Sequence, residues 1–168
     1  MNDPFVDLIV EALNLTHPRF ALAYGREYDP ADAAAARCEC ERPFLLEFFH
    51  QFRHLWERGL PGRLGLGHIV IQGEPTDAGP LPDLLVWQLG ERGQPHRRLG
   101  AMSVAFCSNP EAVHTKGERL AHFRKVIGYP QAVNIVVGSG VSSVPQFEGV
   151  TNLFFDTDRW LARVMMAE

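Results

Sequence analysis

Cys38 and Cys40, with His50 and His54, are the residues here whose types could together hold a transition metal. The two histidines have the i, i+4 spacing that sets two imidazoles on one helical face. Cys-x-Cys is not a usual structural-zinc spacing, and His50 stands among apolar residues, so solvated or packed side chains are expected instead. Ser142 and Ser143 offer a hydroxyl nucleophile and His122 a base, but no G-x-S-x-G elbow surrounds either serine. The Gly138-Ser139-Gly140-Val141-Ser142-Ser143 stretch follows a strand as a phosphate loop does. It lacks the G-K-[S/T] ending and a following helix, which makes it a plain loop. Trp56, Trp87 and Trp160 would suit a platform for stacking bases, yet Trp56 and Trp87 fall on element faces that read as core. Arg92, His96, Arg97 and Arg98 form the densest basic cluster, in a Gly/Pro-containing turn that reads as a solvated loop.

These residues need a scaffold, and composition bounds it. The 168 residues suit one domain, 1–168, long enough to bury a core without disulfides or metal. Hydrophobic residues make up 46% and charged residues 21%, which excludes disordered and fibrous classes. Three cysteines make no disulfide framework, so reduced thiols are expected. No apolar run approaches the ~20 residues of a membrane span. The opening Met1-Asn2-Asp3-Pro4 lacks the basic start of a secretion signal, so the expected location is cytoplasmic, with no membrane partner. A net charge of −4 and a pI near 6.0 weigh against nucleic acid as the partner.

Punctuation and periodicity give the elements. Asp3-Pro4 is an N-cap with proline at the first helical position; it opens a helix that ends near Asn14, with Phe5, Leu8, Ile9 and Ala12 on one face. Asp29-Pro30 repeats that signal for a helix to about Cys40, after which Pro43 kinks it or opens a new one. Leu45, Phe48, Phe49, Phe52, Leu55 and Trp56 recur at helical spacing over 43–57. Strands are expected at 68–74, 83–89 and 99–107, the last two as a hairpin with a long connection. A helix over 115–127 would bury Leu120, Phe123, Val126 and Ile127 and end at Gly128. A buried strand at 132–137 follows, then a strand at 152–155 and a terminal helix at 156–166.

Helix, three-strand meander, helix, strand is an order that, with Pro82-Asp83 opening the second strand, resembles the restriction-endonuclease-like (PD-(D/E)XK) nucleases over about 41–137. The resemblance implies an α/β fold with a mixed sheet, carrying here an N-terminal helical extension and a C-terminal strand and helix. It puts Glu41 or Glu47 at the family's helical acid, Glu74 at the first-strand acid and Asp83 at the motif's opening. It also puts Ser103 where the family has glutamate and Ala105 where it has lysine. In any register, 99–107 contains neither an acid nor a lysine. Family nucleases hold Mg²⁺ on two acids and a carbonyl and use the lysine on developing charge, and losing one such donor typically costs ~10²–10³ in rate.

The expectation is therefore a fold that has lost catalysis, needs no cofactor and acts as a binding or interaction module, with a protein, its own copy included, as partner. The competing expectation is a nuclease with a migrated site, holding Mg²⁺ on Asp83 and Glu74, for which Lys116 or Glu118 would supply the moved group. A glutamate and a lysine near a helix start also suit capping and surface solvation, which is the expected role of both. The apolar first forty residues are expected to cover the core or form a dimer interface.

Overall fold

The computed structural model describes residues 3–17, 33–58, 69–73, 81–90 and 96–165. In chain order these form α1 (Pro4–Leu15), α2 (Ala33–Arg58), β1 (Ile69–Gly73), β2 (Leu84–Gln88), β3 (Arg97–Phe106), α3 (Pro110–His122), a π-helical turn (Phe123–Ile127), β4 (Gln131–Gly138), β5 (Thr151–Asp156) and β6 (Leu161–Met165). The strands make one six-stranded mixed sheet in sequence order. β1, β2 and β3 pair antiparallel, β3, β4 and β5 parallel, and β6 returns antiparallel on β5. The meander and the helical crossover between β3 and β4 are those expected from the sequence, and the fold class is mixed α/β as expected.

The Asp3-Pro4 signal works as read, with the Asp3 carboxylate accepting from the Phe5 N–H at 2.8 Å. The face of α1 buries Phe5, Leu8, Ile9 and Ala12, and also Val6 and Leu13. α2 is one helix with Pro43 inside it, so the proline opens no new element; the expected start at Asp29-Pro30 lies outside the described residues. The helical stripe Phe44, Phe48, Phe52 and Trp56 packs with α1 over one face of the sheet, on Val86, Met102, Val104, Val133, Ile135, Leu153 and Phe155. Burying each such side chain is worth about 1.5–3 kcal/mol, so this interface carries most of the apolar stabilisation. α1 is thus a wall of the core, while residues 18–32 of the apolar first forty lie outside the described residues.

Two expectations are corrected. α3 begins at Pro110 rather than 115: Asn109 is the N-cap, its side chain accepting from the Ala112 N–H at 3.1 Å. Its sheet-facing side is Val113, Lys116, Gly117 and Leu120, while Val126 and Ile127 are 62% and 36% exposed. The π-turn inserts extra residues into the helical repeat and rotates these two away from the sheet, although Gly128, at φ 79°, does end the segment as expected. The terminal segment is strand β6 and not a helix. Asp156 Oδ1 accepts from the N–H groups of Asp158 and Arg159 and Trp160 takes a left-handed φ of 50°, which reverses the chain onto β5. Ala162 and Val164 then join the core while Leu161 stays half exposed, an alternation of period two.

Candidate functional site

Side chains alternate across the sheet, so the residues beneath α3 are the ones that α1 and α2 do not touch. Under α3 lie two separate apolar groups, one holding Leu85, Ala101, Leu120 and Ala132, the other Ala105, Val113, Val136 and Phe154. Between them runs a polar row. Ser103, Asn134 and Asn152 are directly opposed on β3, β4 and β5, and all three are buried. Asp83 extends the row: it precedes Leu84, which pairs with Met102, so one further step of the antiparallel register sets it opposite Ser103. Lys116, midway between Val113 and Leu120, reaches down into this row from α3.

One more step of that register would set Pro82 against Val104, and proline has no N–H to give a neighbouring strand. Asp83 and Lys116 do what strand pairing cannot. Asp83 Oδ2 accepts from the Val104 N–H at 2.7 Å, and Lys116 Nζ donates to the Val104 carbonyl at 2.7 Å and to Asp83 Oδ2 at 3.2 Å. The ion pair therefore seals the backbone of β3 just where β2 gives out. Both side chains are out of solvent, at 2% and 0% exposure. Burial pushes the Asp83 carboxyl above its ordinary value of 3.8, against the opposing pull of the Lys116 charge, the Val104 N–H and Arg119.

Farther along the row the amides form a directed chain. Asn152 Nδ2 donates to the Pro145 carbonyl and to Gln146 Oε1, both at 3.2 Å. A carbonyl can only accept, so the Asn152 oxygen must face inward, where it takes a bond from Asn134 Nδ2 at 3.2 Å. That leaves Asn134 Oδ1 directed back along the row, and Asp83 Oδ1, Ser103 Oγ and Asn134 Oδ1 are all buried without a protein partner among the described residues.

Lys116 corrects the surface role expected of it: it is among the largest fully buried side chains. Glu118 keeps that role, exposed and paired with His114 at 3.3 Å. Ser103 and Ala105 share the α3 face, so the side of β3 toward Asp83 is small and uncharged. Glu74 lies outside the described residues, as do Arg92 and the side chains of Glu41, Cys38 and Cys40; Glu47 accepts from Gln51 on α2 at 2.7 Å. His50 and His54 stack at 6.3 Å, and among the described residues no three His, Cys, Asp or Glu side chains gather to hold a metal. Of the pair expected to hold Mg²⁺, only Asp83 is among the described residues, and its carboxylate has the Lys116 ammonium already on it. Ser142, Ser143 and His122 are exposed, Trp56 is buried, Trp87 is half buried, and Trp160 is 44% exposed against His17.

The sequence reading missed Asn134 and Asn152. The available signal was an asparagine inside the apolar run Ala132-Val-Asn-Ile-Val-Val137, where β-branched residues surround a side chain that needs hydrogen-bond partners. Comparison of the chain with protein-family models, with curated proteins and with solved structures finds no match.

Proposed function

We propose that this chain is a restriction-endonuclease-like domain that has lost catalysis and acts as a binding or interaction module. The observation that carries this reading is the fate of Asp83. The aspartate that opens the second strand of a helix, meander, helix, strand order is committed to Val104 and Lys116 inside the protein. Beside it, Ser103 and Ala105 stand where the family carries its acid and its lysine. A protein partner suits the net charge of −4 better than a phosphate backbone does. Apolar side chains at one end of the molecule suit it too: Leu15, Trp160 and Leu161 are 47%, 44% and 50% exposed, where α1 meets the turn into β6. A second copy of the chain is the simplest partner, and light scattering showing a clean monomer at high concentration would remove that version.

One observation favours the competing reading of a nuclease with a migrated site. Lys116 comes from the helix after β3 and reaches the same aspartate that a strand lysine would accompany. Calorimetric titration of Mg²⁺ and Mn²⁺, followed by incubation with supercoiled and single-stranded DNA, separates the two. The proposal expects no cleavage. Metal-dependent cleavage by the intact chain, lost in an Asp83→Asn variant that keeps its circular dichroism spectrum, would overturn it.

A further inference from the structure

We infer that the polar row holds an internal water molecule, bound by Asp83 Oδ1, Ser103 Oγ and Asn134 Oδ1. Donor counting requires it. With Asp83 ionised against the Lys116 ammonium, its Oδ1 and the amide oxygen can only accept, and the serine hydroxyl between them has one proton to give. Whichever way that hydroxyl turns, direct bonding leaves one buried acceptor without a donor. The amide cannot be reversed to help, because the Pro145 carbonyl fixes Asn152 and Asn152 fixes Asn134. One water brings the two missing protons, one for each acceptor, and takes the serine proton on its own oxygen. Three bonds is the usual complement of a buried water.

Geometry and charge agree with that ligand. Neighbouring strands stand about 4.8 Å apart, and the register sets Asp83 and Asn134 on either side of Ser103. All three residues are fully buried. A metal cation would need the same oxygens, but the Lys116 ammonium already lies 3.2 Å from the other oxygen of Asp83 and would repel it. The water follows from the donor count within the row and not from the proposed function, so direct bonding among the three atoms would sink the water and leave the lost-catalysis reading standing.

Two measurements test it. A high-resolution crystal structure of the intact chain should show a density peak at hydrogen-bonding distance from all three atoms. Direct bonding among the three with nothing between them, or a peak at the shorter distances of a coordinated cation, would overturn the inference. Ser103→Ala should lower the urea midpoint, because the water oxygen loses the buried hydroxyl that donates to it. A raised midpoint would mean that the hydroxyl was a buried group with no partner to lose, and would sink the idea.

Discussion

Asp83 and Lys116 carry opposite charges where neither reaches solvent, and each is a condition for the other. Asp83→Ala leaves the ammonium buried without its counter-charge and the Val104 N–H without an acceptor, so unfolding by urea should show a loss of about 3–5 kcal/mol. Lys116→Met strands the carboxylate instead. Because burial already raises the Asp83 pKa, the folded state holds that proton more tightly than the unfolded chain does. The stability that the proton contributes is full below the ordinary value of 3.8 and is lost as pH rises through the folded one. Without Lys116 the folded value climbs further. The deficit of Lys116→Met relative to the parent should therefore shrink as pH falls from about 8 to about 5, and a deficit that grows on acidification would contradict this account. Asp83 was legible in the sequence because it follows a proline at a strand start. Lys116 was named as a candidate for the moved group but expected at the surface, and its burial was missed for a reason of helical phase. On a helix starting at 115 it sits in the solvated first turn, whereas on one starting at Pro110 it falls three residues after Val113 and four before Leu120, in the sheet-facing stripe.

At the scale of elements, α3 lies close to the sheet because its sequence lets it. A Cβ on Gly117 would run into the Phe147 ring, so the loop between β4 and β5 closes directly on the helix backbone. Alanine ordinarily improves a helix by about 1 kcal/mol over glycine. Here Gly117→Ala should instead lower the thermal midpoint, by the roughly 1–3 kcal/mol of an overpacked contact, and Phe147→Ala should remove most of that penalty in the double variant. The longer elements could be read from the sequence because one strong pattern governed each: aromatics at helical spacing in α2, a capped proline start in α1, β-branched residues in β4. β6 could not. Leu161-Ala-Arg-Val-Met165 fits a helical and an alternating pattern equally well, and what decides between them is Trp160 taking a left-handed backbone, which no local preference of tryptophan announces.

Across the whole molecule, α1 is held at both ends by residues far along the chain. Asp3 Oδ2 accepts from Gln131 Nε2 at 2.7 Å at the start of β4, and Asn14 Oδ1 accepts from the Ala162 N–H at 2.7 Å on the edge of β6. Asn14→Ala should cost about 1 kcal/mol by urea denaturation and leave an edge amide open to pairing with another chain, which size-exclusion chromatography would register as association. The two ties also fix an order of events in time. α1 is synthesised before β6 and has no complete seat until that strand has been made, so its apolar face must wait through the synthesis of the elements between them. Folding should then be slow for a domain of this size, with loop closure over most of the chain at its transition state, and the interval before closure is when the nascent protein has most need of a chaperone.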